Sequence, residues 1–127
     1  MPISLAVTEP QPPDPSWPRY SARPFPSYRF VPGNNQRQRR MPKVDSPGFG
    51  ELDPERFDPE QWRESDDYCY GVDLNNYAYW WECHEIFEGL WHVAGRLSEE
   101  GNFFQGLIQL AAASLKLFMG NHQAARI

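Results

Sequence analysis

The chain has 127 residues, a net charge of −5 and a pI near 5.1, enough for one small domain plus an appendage. An acidic balance of that size argues against a general nucleic-acid binder that neutralises phosphate over its whole surface, while leaving room for a local basic arm. Cys69 and Cys83 form no CxxC pair, which excludes a zinc ribbon and a thioredoxin-like motif and leaves one disulfide open.

The start, Met1-Pro2-Ile3-Ser4-Leu5-Ala6-Val7, has no basic stretch followed by an apolar run, so no secretory signal is expected and the cytoplasm is the default compartment. All 13 prolines fall between Pro2 and Pro59, which sets a proline-rich, mostly irregular segment 1–59 against a helical domain 60–127. Residues 1–18 hold few aliphatic groups and are expected to be disordered or extended. Every charge from Arg19 to Lys43 is basic (Arg19, Arg23, Arg29, Arg37, Arg39, Arg40, Lys43), whereas Glu51 to Asp67 is mostly acidic. The plain reading is a tail lying against its own acidic neighbour. The sharper one is a nucleic-acid arm over 19–43, with Tyr20, Phe25, Tyr28 and Phe30 as stacking groups. The same aromatics could pack onto the helices as a strap.

Phe49, Leu52, Phe57 and Trp62 are spaced too irregularly for a long amphipathic helix, and Pro59 to Asp66 predicts one short helix. Asp73-Leu74-Asn75-Asn76 offers capping side chains ahead of a long helix from Tyr77 to Arg96. At 100° per residue, Trp80, Cys83, Ile86, Phe87, Leu90, Trp91 and Ala94 gather on one broad apolar face, with Glu82, Gly89 and Val93 near the other side. A second helix is expected from about Asn102 to Met119, stopped by Gly120-Asn121. It is apolar nearly all round, and Gln105, Gln109 and Lys116 make a thin polar stripe. That run is close to spanning length, but its amides and Lys116 oppose a membrane span, so a buried helix is expected. The short loop Leu97 to Gly101 makes the two helices an antiparallel hairpin, and nothing alternates long enough for a sheet, so the fold class is an all-α small bundle.

The chemistry lies on the first helix. His84, Glu88 and His92 follow at i, i+4 and i+8, with Glu85 beside them, a spacing that stacks side chains along one stripe at the edge of the apolar face. Gln105 or Gln109 would face this cluster from the second helix, and Trp81 would be a pocket wall or a platform for the strap. Two functional classes follow. The first is an interaction or ligand-binding module, in which His84, Glu85, Glu88 and His92 form a hydrogen-bond network with Gln105 and Gln109. The alternative is a metal-dependent, hydrolase-like enzyme, with His84, Glu88 and His92 as ligands of zinc, manganese or iron and Glu85 and Glu88 as catalytic candidates. The pattern lacks HExxH and the ExxH pairs of di-iron bundles, so Gln105, Gln109 or His122 would complete the site.

The strings Gly71-Val72-Asp73-Leu74-Asn75-Asn76, Tyr79-Trp80-Trp81-Glu82-Cys83-His84-Glu85, Glu88-Gly89-Leu90-Trp91-His92 and Phe104-Gln105-Gly106-Leu107-Ile108-Gln109-Leu110-Ala111-Ala112 together resemble the prokaryotic family called domain of unknown function three-hundred-and-nine. The resemblance covers Tyr68 to Ala125, and Phe30-Val31-Pro32-Gly33 with Asp45-Ser46-Pro47-Gly48-Phe49-Gly50 is similar to an N-terminal strap in longer members. It implies about three helices and carries no activity with it. Members usually continue past the turn matched by Gly120-Asn121, so a third helix cut short at Ile127 is expected. A second copy or another partner would then cover the helix 102–119, because an uncovered apolar face marks an interface.

Overall fold

Ser65 starts the first helix. Its side chain accepts a hydrogen bond from the Tyr68 amide, and Asp66 and Asp67 occupy the first turn, where carboxylates oppose the positive end of the helix dipole. The computed structural model describes residues 9–32 and 58–120. It contains a 3-10 turn at Trp62–Glu64, then α1 (Asp66–Asn76), α2 (Trp80–Ala94) and α3 (Glu99–Phe118). The all-α expectation holds: the described residues contain no strand. None of their helices is long and apolar enough to cross a membrane.

The three helices are not the three that the sequence suggested. Asp73 to Asn76, expected to cap a helix from Tyr77, are instead the last turn of α1. The break falls at Ala78, whose φ of 67° is a left-handed conformation that ends the helix. α2 therefore starts at Trp80 and stops at Gly95, which has φ 97°. α3 also starts earlier than expected, because Ser98 rather than Asn102 caps it, accepting from the Gly101 amide at 2.9 Å. A Cβ on Gly101 would lie 2.1 Å from the Gly95 carbonyl oxygen, so this tight reversal requires glycine there. The third helix expected beyond Gly120 lies outside the described residues, as do Arg37, Arg39, Arg40, Lys43, Phe49, Leu52, Phe57 and His122.

α2 is the middle element and packs against both α1 and α3. Its Cys83, Ile86, Phe87 and Leu90 are buried with Tyr70 and Leu74 of α1 and Phe104 and Ala111 of α3. Gly71 lets α1 approach closely, since a Cβ there would sit 2.7 Å from the Phe87 ring. Trp62 closes one end, with ring centroids 5.1 Å from Tyr68 and 5.0 Å from Phe104. α3 is less covered than its apolar sequence implies. Phe103, Leu110 and Leu117 are exposed, and so are Gln105 and Gln109.

Residues 9–32 form a strap without helix or strand. Asp73, fully buried, is its anchor. The carboxylate accepts from Arg19 Nε at 2.7 Å, from the Tyr20 amide at 2.9 Å and from the Ser21 amide at 2.9 Å. Arg23 pairs with Asp66 at 2.6 Å and Asp67 at 2.9 Å, and Arg29 donates to the Tyr77 carbonyl at 2.9 Å. The same guanidinium groups cover aromatic rings: Arg19 over Phe25, Arg23 over Tyr70 and Arg29 over Tyr79. Tyr77 Oη donates to the Trp17 carbonyl, and Tyr70 Oη to the Pro24 carbonyl at 2.8 Å. Glu82, placed by periodicity near the far side of α2, is buried beneath this strap and accepts from the Phe30 amide at 3.0 Å.

Candidate functional site

Apart from the buried Glu82, α2 carries its ionisable groups where the apolar face gives way to solvent. The i, i+4 pair His84 and Glu88 meets as its spacing requires, with Nε2 and Oε2 3.5 Å apart. The His84 side chain is 21% exposed and that of Glu88 44%. Glu85 joins them: one ligand atom from each of His84, Glu85 and Glu88 lies within 4.8 Å of the others. Among the described residues this is the group of histidine, cysteine and acidic side chains close enough together to hold an ion.

Trp81 packs beside His84 and also meets the strap. Its ring centroid is 5.3 Å from that of His84 and 5.1 Å from that of Phe30. His84 Nδ1 and Trp81 Nε1 are both buried, and neither has a hydrogen-bond partner among the described residues. Buried polar atoms in folded proteins normally have partners, so this edge of α2 is less satisfied than the strap anchor.

The structure does not bring the other sequence candidates into the group. His92 is exposed and faces Arg96, whose terminal nitrogen is 3.4 Å from Nδ1 and 3.5 Å from Nε2. Arg96 in turn lies over the Trp91 ring at 4.8 Å. Gln105 and Gln109 stand on the exposed side of α3, whose inward positions are Gly101, Phe104, Ala111 and Leu115. The expectation of buried amides facing the cluster is thus corrected. α3 could be rotated correctly only by knowing that Phe104 and Ala111, rather than the glutamines, meet α2.

A nitrogen and two carboxylate oxygens suit a borderline divalent ion such as zinc, manganese or iron. Bonds of about 2.0–2.2 Å require the three donors to draw closer, which the partly exposed Glu88 side chain can do by rotation. The cysteines offer nothing to this set. Both are free thiols, and burial pushes the Cys83 thiol up, away from thiolate chemistry. The basic arm is also engaged elsewhere: Arg19, Arg23 and Arg29 spend their donors on Asp73, Asp66, Asp67 and backbone carbonyls.

Sequence reasoning read Asp73 as a helix cap and set Glu82 near the far side of α2, and so missed that they are the two buried carboxylates among the described residues. The segregation of basic 19–43 from acidic 51–67 pointed to contact between the halves, but Asp73 and Glu82 lie beyond that acidic segment and carried no signal of their own. No curated protein and no solved structure matches the chain at a significant level. Residues 68–127, which hold all of α2 and α3 and most of α1, match the family described as Domain of unknown function (DUF309).

Proposed function

We propose that this chain is a ligand-binding helical module whose ligand is a divalent transition-metal ion held at His84, Glu85 and Glu88. The observation that carries this reading is the approach of three donor atoms to within 4.8 Å of one another at a partly exposed helix edge. Three protein donors leave coordination positions for water or for a group brought by another molecule. The hydrolytic alternative takes Glu85 and Glu88 as its catalytic groups, but with both serving as ligands the group holds no further carboxylate to act as a base, so binding is favoured over turnover.

The test uses untagged full-length protein freed of metal by chelation. Zinc or manganese added to about 100 times its dissociation constant should stabilise the fold by about 2.7 kcal/mol, read as a rise in Tm, with about one ion bound per chain by elemental analysis. The double variant His84→Ala/Glu88→Gln should lose both responses and keep its circular dichroism. An equal thermal shift in the double variant, or no uptake by the unaltered protein, overturns the reading.

A further inference from the structure

We propose that the exposed face of α3 pairs antiparallel with the same face of a second copy of this chain. Phe103, Leu110 and Leu117 follow at i, i+7 and i+14, and they are 44%, 53% and 52% exposed. Gly106 and Ala113 fall between them, which completes the a and d pattern of a two-helix seam. This seam is distinct from the face that α3 uses inside the chain, where Phe104, Ala111 and Leu115 are buried.

Three observations make a second copy the occupant. The first is Gly106. A Cβ there would meet nothing within 4 Å, so its small size serves no contact among the described residues, while it suits close approach of another backbone. Shape supplies the second. Beside the Leu110–Leu117 ridge lies an open hollow of about 340 Å³, lined by Trp17, Trp80, Leu110 and Ser114 among others. One surface thus offers both ridge and hollow, the self-complementarity that a two-fold contact requires. Charge fixes the direction. The first turn of α3 carries Glu99 and Glu100 and its last turn Lys116. Antiparallel pairing opposes the helix dipoles and keeps the two acidic first turns at opposite ends of the seam, whereas parallel pairing would set acid beside acid. In that register Leu110 meets Leu110 of the second copy at the axis, and Phe103 faces Leu117.

Sedimentation equilibrium of the full chain should give twice the 14.8 kDa monomer mass, falling to the monomer on dilution. Leu110→Lys is an exposed substitution that should keep the far-ultraviolet dichroism and weaken the dimer at least about tenfold. Gln105→Lys, exposed but about a third of a turn round the helix from the seam, should leave the dimer unchanged. In a Cys69→Ser background, Leu110→Cys should cross-link to itself, and Phe103→Cys should cross-link to Leu117→Cys but not to itself. A monomer at all concentrations, a dimer indifferent to Leu110→Lys, or self-cross-linking of Phe103→Cys overturns the proposal. So does a monomer that instead binds phospholipid vesicles through this face.

Discussion

Two polar centres on neighbouring helices use similar side chains and end in different states. At Asp73 of α1, a fully buried carboxylate receives a guanidinium and two backbone amides from the strap. At the edge of α2, His84 and Glu88 stand 3.5 Å apart with both side chains reachable by water, and His84 Nδ1 is buried with no partner among the described residues. The first centre is closed, since both carboxylate oxygens accept hydrogen bonds and the side chain is out of reach of solvent. The second keeps donor atoms near one another and open to solvent, which is what an ion or small ligand needs. Similar residues therefore do structural work where the chain saturates them and keep a capacity for binding where it does not.

The largest effect should come from breaking the closed centre. Asp73→Ala strands the Tyr20 and Ser21 amides and takes from the partly exposed Arg19 its carboxylate partner, a loss of about 3 kcal/mol. That is a large share of the stability of a small domain, and calorimetry should record a fall in Tm of more than about 10 °C. Hydrogen exchange at Tyr20 and Ser21 should rise together with it. A variant that melts within a few degrees of the unaltered protein would show that the strap is held by its arginine–aromatic contacts and not by Asp73.

What the sequence revealed divides along the same line. The apolar face of α2 was legible because Cys83, Ile86, Phe87 and Leu90 repeat at helical spacing, and all four are buried. The His84–Glu88 pair was legible for the same reason, as both residues belong to one helix. α1 was not, because its inward positions are Tyr70, Gly71, Asp73 and Leu74. Glycine and a carboxylate there interrupt any apolar stripe, and both owe their place to other segments, Gly71 to Phe87 and Asp73 to the strap. The orientation of α3 was hidden by its own composition. A helix apolar nearly all round has no phase to read, so Gln105 and Gln109 could be turned toward the site on paper and face solvent in the structure.

A smaller effect separates the rim of the closed centre from its heart. Burial pushes the Asp66 carboxyl up, but hydrogen bonds from Ser21 and Arg23 and the nearby arginine charges outweigh it and hold the group below its ordinary 3.8. A carboxyl lowered in the folded state stabilises the fold above its unfolded value, and that contribution is lost as pH falls through the folded value. Urea denaturation should therefore show stability declining below about pH 4, with a shallower decline in Asp66→Asn. The change should be modest, because the Asp66 side chain is 52% exposed and solvent screens the pair. An unchanged slope in Asp66→Asn would assign the acid sensitivity to other carboxylates.

The smallest effect tests the border of the open centre. His92 shares the helix stripe of His84 and Glu88, yet it is exposed and turned to Arg96 at 3.4 Å. His92→Gln should change stability by less than about 0.5 kcal/mol, as surface substitutions usually do. It should also leave metal affinity within about twofold, against a loss of at least about tenfold for His84→Gln. Titration of both variants by calorimetry decides the point. Equal losses would mean that the ion draws His92 away from Arg96, so that the site runs two turns along α2. A loss confined to His84→Gln would fix its limit at Glu88, one turn from the buried imidazole nitrogen.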